Sequence, residues 1–205
     1  MRPVPALFAA TALFTLSAAG ALAQGNLPVE RDELPQPAEE GRPGTSAEDG
    51  GPVRATARLV GPDGTEHGIV RFAMAQVGVV ITVAVKGLPA GTHAIHIHEK
   101  GACTPDPEAA GGHFNPTGTE HGVMNRDGPH VGDLPNLHVP ESGTLTVEYF
   151  APLITLAHGE TGALLDEDGA AVVIHAGPDD YHTDPAGGSG DRIACGAIEA
   201  AAADE

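Results

Sequence analysis

The sequence predicts an all-β fold, a sandwich or barrel of seven or eight short strands, and three observations predict it. Aromatic residues make up 3% of the 205 residues and Trp is absent, while 41% is hydrophobic, so the core must be assembled from Val, Ile, Leu and Ala. The 28 glycines and 18 prolines cut the chain into short pieces that favour strands and turns over long helices. Within those pieces apolar and polar residues alternate with the two-residue period of a half-buried strand. The length suits one domain with an extension.

Taken in order, residues 1–23 read as an export signal. Arg2 supplies the positive charge, ALFAATALFTLSAAG is the apolar stretch, and Ala21-Leu22-Ala23 is a small-x-small cleavage site. A membrane span fits less well, because the run is short and Gly20 breaks its end. Residues 24–52 are Pro, Gly, Glu and Asp with few β-branched residues, the composition of a flexible acidic linker. The folded domain is placed at 53–199. It opens with VRATARLV, a turn at GPDG and TEHGIVRFAMAQ, which read as a hairpin. VGVVITVAVKGL and the HAIHIHE segment follow as two further strands. From Lys100 to Pro140 the chain is dense in Gly, Pro, Asp and His, and a loop of that length inside a domain is commonly functional. Strand patterns return at GTLTVEYFAPL, AAVVIHA and RIACGAIEA, and residues 200–205 read as a frayed tail.

The formal charge of -18 excludes general nucleic-acid binding, which needs a basic footprint, and also argues against anionic membranes. Membrane insertion is not expected once the signal is removed. Cys103 and Cys195 both lie in the mature part, and an even pair in an exported chain most simply makes one disulfide.

The histidines carry the chemistry. In a strand, His96 and His98 share one face while Ile95 and Ile97 share the other, so one face suits a core and the other a metal. His175, in VVIH, projects from another strand in the same way. Three imidazoles without carboxylate or thiolate suit copper as well as zinc. The loop supplies a second set, His113, His121, His130 and Asp133, whose three imidazoles and one carboxylate match a closed tetrahedral zinc site. His93, His67, His138, His158 and His182 read as ordinary surface or backbone-bonded histidines.

HAIHIHEKGAC, GGHFNP, EHG, HVGDLPN, VVIHAG and GSGDRIACG, in this order, closely resemble the copper/zinc superoxide dismutase family, in its exported bacterial branch. The resemblance runs from Val53 to about Ile198. It implies a Greek-key β-barrel, or flattened sandwich, of about eight antiparallel strands with a long metal-binding loop. It also implies the cofactors copper and zinc and the substrate superoxide, disproportionated to dioxygen and hydrogen peroxide. His96, His98, His113 and His175 would bind copper, and His113, His121, His130 and Asp133 zinc. His113 would bridge the two and hand a proton to the product. Arg192 would attract and orient the anion, and Cys103 and Cys195 would form the family's disulfide. Asp179 matches the family's carboxylate linking a copper ligand to a zinc ligand, and equally reads as a turn residue in GPDD. A bacterial periplasm is the expected location, with secretion as the alternative; monomer and homodimer both stay open.

Two departures from the eukaryotic branch stand out. PDPEAAG makes the subloop between Cys103 and His113 longer, and the shorter segment from His175 to Arg192 carries Asp179, Asp180, Asp184 and Asp191 with no Lys. Two other functions compete for the same residues. A copper-holding module would need no Arg192, and a zinc hydrolase on His96, His98 and His175 would need a carboxylate base. Glu99 is adjacent in sequence but points to the opposite face.

Overall fold

The computed structural model describes residues 54–201; the expected signal and linker lie outside the described residues. Nine strands form: β1 Arg54–Val60, β2 Glu66–Met74, β3 Val79–Val85, β4 Gly91–His93, β5 Ile95–His98, β6 Leu137–Val139, β7 Leu145–Ala151, β8 Ala171–His175 and β9 Arg192–Ala200. Among the described residues a short 3₁₀ turn, Pro107–Ala110, accompanies them. Seven strands make one antiparallel sheet in the order β5-β8-β9-β1-β2-β3-β7, and β4 pairs with β6. β1, β2 and β3 follow one another as hairpins, and β9 returns to lie beside β1, which is the Greek-key arrangement.

Alternation explains the core. β3 buries Val79, Ile81, Val83 and Val85 and turns the residues between them outward. Val70 and Phe72 of β2 and Ala57 and Leu59 of β1 join the same cluster. β5 and β8 differ, being buried on both faces. Ile95, Ile97, Val172 and Ile174 enter the main core, while Ala171 and Val173 lie with Ala110 and Cys195 in a second, smaller cluster.

Three details correct the sequence expectation. The HAIHIH run is two strands, because Ala94 changes partners: its N–H donates to Gly177 O and its carbonyl accepts the His175 N–H. That hinge lets β4 leave for β6 while β5 stays with β8, which makes nine strands among the described residues. The 100–140 stretch, read as loop throughout, contains the 3₁₀ turn and β6. The expected tail begins inside a strand, since β9 runs to Ala200 and the Ala201 N–H donates to Arg54 O.

Candidate metal centre

β5 is an edge strand, and its free edge is taken by the loop. The Phe114 N–H donates to Ile97 O, the Ile97 N–H to Gly132 O, and the Glu99 N–H to Gly112 O. These bonds set His113 beside His98 and Asp133 beside His96 as bridge pairs. The loop backbone comes so close that a Cβ on Gly132 would collide with Ile97 O. Three of the expected loop ligands are each followed by an apolar residue: His113 by Phe114, His130 by Val131 and Asp133 by Leu134, and all three followers are buried in the main core. In extended backbone successive side chains point opposite ways, so each pair drives one residue into the core and its neighbour into the site.

β5 and β8 complete the frame. His96 and His98 lie opposite Val173 and Ala171 on the face away from the main core, and His175 ends β8 on that same face. One ring nitrogen from each of His96, His98, His113 and His175 lies within 4.8 Å of one from every other. In each ring the other nitrogen is engaged. His96 Nε2 is 2.9 Å from Asp179 Oδ2, His98 Nδ1 3.0 Å from Gly111 O, His113 Nδ1 2.9 Å from Asp133 Oδ1 and His175 Nδ1 3.1 Å from Gly190 O. The remaining atoms, His96 Nδ1 and Nε2 of His98, His113 and His175, are buried without any hydrogen-bond partner. Orphaned buried nitrogens are costly unless something binds them. Four imidazole donors with no carboxylate among them suit copper.

The second set gathers on one carboxylate. Around Asp133 Oδ1 stand His113 Nδ1 at 2.9 Å, His121 Nδ1 at 3.1 Å and His130 Nδ1 at 3.4 Å, and His130 Nδ1 is 3.3 Å from His113 Nδ1. Four donors about 2.0–2.2 Å from a tetrahedral zinc lie about 3.3–3.6 Å apart, so these separations need only slight widening. His96 also approaches this set, its ring centroid 4.0 Å from that of His113. Asp133 Oδ2 accepts the Gly122 and His130 N–H groups at 2.9 and 3.0 Å, which aims the carboxylate.

Asp179 ties the sets together. Its Oδ2 meets His96 and its Oδ1 meets His121 Nε2, each at 2.9 Å. Asn136 holds the Asp179 backbone from both sides, accepting its N–H through Oδ1 and donating Nδ2–H to its carbonyl. Asp179 thus makes contacts of both kinds, since Oδ1 also accepts the Tyr181 N–H of the turn. A Cβ on Gly187, whose φ is +63°, would run into Asp179 Oδ1 and His121 Nε2. Sequence reasoning missed Asn136 and also Asp184, which accepts the His121 N–H at 2.7 Å. Both lie beside expected site residues, but only the fold shows the contact.

The electrostatics separate the sets. Burial pushes the imidazoles of His96 and His175 down to about 4 and that of His98 to about 2, so these rings are neutral near pH 7 with lone pairs free for a metal. Burial works against charge on His121 too, but hydrogen bonds to Asp133 and Asp179 overcome it and raise that imidazole to about 9. Burial would raise both carboxyls; instead the His113 and His121 bonds hold Asp133, and the His121 and His96 bonds hold Asp179, well below the usual carboxylate range.

Arg192 begins β9 opposite His175. Its Nη1 donates to Pro107 O at 3.0 Å and its Nη2 to Gly111 O at 2.8 Å, which fixes the fork at the edge of an open pocket of about 440 Å³ that His175 also lines. Cys103 and Cys195 form a disulfide, with Cα atoms 5.7 Å apart, that pins the subloop carrying those carbonyls to β9. His93 behaves as expected, its ring nitrogens 2.9 and 3.0 Å from the carbonyl oxygens of His175 and Pro89. Glu99 stays outside the site, accepting the Gly112 N–H, so it is no base for a hydrolase.

A buried histidine cluster on a Greek-key sheet, split between an all-imidazole set and a carboxylate-centred one, defines a candidate two-metal protein. Residues 66–198 match the family model for copper/zinc superoxide dismutase, and the chain belongs to that family. Membership makes it a copper- and zinc-dependent oxidoreductase acting on superoxide. It is 45% identical over 148 residues to Superoxide dismutase [Cu-Zn] 2 of Aquifex aeolicus, covering 71% of this chain and 86% of that protein. It is likewise 45% identical to Superoxide dismutase [Cu-Zn] of Caulobacter vibrioides, covering 71% and 85%. Among solved structures, a SOD-like protein from Bacillus subtilis superposes with a TM-score of 0.67 at 43% identity, covering 69% of this chain and 96% of that one.

Proposed function

We propose that this chain disproportionates superoxide outside the cytoplasm, with copper held by His96, His98, His113 and His175 and zinc by His113, His121, His130 and Asp133. One observation carries the assignment: four buried ring nitrogens without partners, in rings whose opposite nitrogens are all engaged. Copper, when bound, supplies the one-electron chemistry that oxidises one superoxide to dioxygen and reduces a second to peroxide, beside a redox-inert zinc.

The chain's own residues do the rest. His113 belongs to both sets, with Nδ1 on the Asp133 side and Nε2 left over, so Nε2, whenever copper does not take it, is where a proton would be held and released to the product. His113 Nδ1 and Asp133 Oδ1, 2.9 Å apart, would share the zinc, which would anchor the ring on that side. Arg192, fixed by two backbone carbonyls, presents its remaining N–H groups to a small anion. Asp179 holds His96 and His121 in one register, so neither set shifts without the other.

The location follows from residues 1–23 as a cleaved signal and 24–52 as a linker, together with the disulfide, which an oxidising compartment such as a bacterial periplasm preserves. All the site residues come from one chain, so monomer and homodimer serve the chemistry equally. The test is superoxide consumption by the mature protein with metal content measured on the same sample, before and after His175→Gln. Consumption that tracks copper and falls at least about 100-fold in the variant supports the assignment. A fully loaded protein no faster than the variant would make the site a metal holder.

A further inference from the structure

We propose that Glu108, in the long subloop between Cys103 and His113, is a specificity-determining residue that restrains the pull of Arg192 on anions and so sets the speed and salt dependence of substrate capture; the inference rests on the dismutase reading above. Glu108 sits in the 3₁₀ turn Pro107–Ala110. Its N–H donates to Asp106 Oδ1 and its carbonyl accepts the Gly111 N–H, so the main chain there is held without the side chain. The carboxylate is 71% exposed and lies 3.4 Å from Arg192 Nε.

Arg192 is otherwise committed. Only 16% of its side chain is exposed, and Nη1 and Nη2 donate to carbonyls on either side of Glu108. Each amino group keeps one further N–H for an anion. The pocket there is lined by two carboxylates, Glu108 and Asp184, against one guanidinium. Asp184 is built into the frame through the His121 N–H and stands 3.9 Å from His130 Nε2. Glu108 has no such duty, and a solvent-exposed pair adds little to stability. Its effect is therefore on what enters: a monoanion nearing Arg192 meets a guanidinium whose charge the neighbouring Glu108 carboxylate partly offsets. The long subloop, whose carbonyls already hold Arg192, also places that charge.

The test uses Glu108→Gln in the copper- and zinc-loaded protein, with two readouts. The first is kcat/KM for superoxide against ionic strength: the variant is expected to be about two- to threefold faster at low salt and to merge with the unaltered protein at high salt. The second needs no turnover. Formate is titrated into the reduced, diamagnetic protein while the Arg192 Nε–H resonance is followed, and the variant is expected to bind about two- to threefold more tightly. Unchanged formate affinity and an unchanged salt slope would overturn the proposal. Tighter formate binding in a protein that does not consume superoxide would leave Glu108's role standing and sink the dismutase reading instead.

Discussion

Asp179 is the residue on which the two metal sets depend together, since one carboxylate oxygen serves His96 and the other His121. Asp179→Asn keeps the shape but leaves one oxygen where two are needed, so one imidazole loses its orienting partner. Zinc affinity is expected to fall about 10- to 100-fold, read by chelator competition, with the fold intact by circular dichroism. Zinc held as tightly as before would reduce Asp179 to a turn residue. Gly187→Ala is expected to do similar damage from outside the ligand set, because its methyl would strike both Asp179 and His121. At this scale the candidate ligands were legible from alternation and from the crowding of His with Asp. The residues that aim them, Asn136 and Asp184, were not, because an exposed-looking polar side chain in a loop carries no mark of its partner.

At the scale of elements, the subloop and β9 are one unit. The disulfide joins residues 92 apart in sequence and keeps Pro107 O and Gly111 O within reach of Arg192. Replacing both Cys103 and Cys195 by Ser is expected to lower the unfolding free energy by about 4–5 kcal/mol, measured by urea denaturation. A second consequence separates this element from the ligands: kcat/KM should fall while copper and zinc content stay constant. Equal denaturation midpoints with and without the bridge would refute the loop-closure account. The long strands were readable because a buried face imposes its two-residue period on the sequence. The division of HAIHIH at Ala94 was not, since an alanine that changes hydrogen-bond partners looks the same as one that does not.

For the whole molecule, the shifted groups set a pH profile for the metal-free protein. His96, His98 and His175 bind protons less readily folded than unfolded, so their burial destabilises at low pH and that penalty lifts as pH rises from about 4, or about 2 for His98, to the ordinary imidazole value near 6.5. His121 has the opposite sign. Raised to about 9, it contributes fully below about 6.5 and loses its contribution as pH climbs through about 9. Asp133 and Asp179, both lowered, stabilise above the usual carboxylate range and lose that effect in acid. Stability should thus peak near neutrality and drop more steeply on the acid side, where three histidines act together. Urea midpoints from pH 4 to 9 check this, and a midpoint still rising between pH 7 and 9 would contradict the role given to His121.

The sequence by itself determined the class of fold and the cysteine pair, because strand alternation and residue type act over short spacing, and its likeness to the dismutase family supplied the two candidate ligand sets and Arg192 as expectations. Only the tertiary structure decided which nitrogen of each ring is engaged and which is left over, that three ligands are seated by the apolar residues after them, and that Glu108 stands against Arg192. The physical reason is one of range. Periodicity is a property of neighbours along the chain, whereas the metal centre forms where β5, β8 and a loop edge meet, and the side chains that orient it are chosen by contacts separated by up to 83 residues, as between His96 and Asp179.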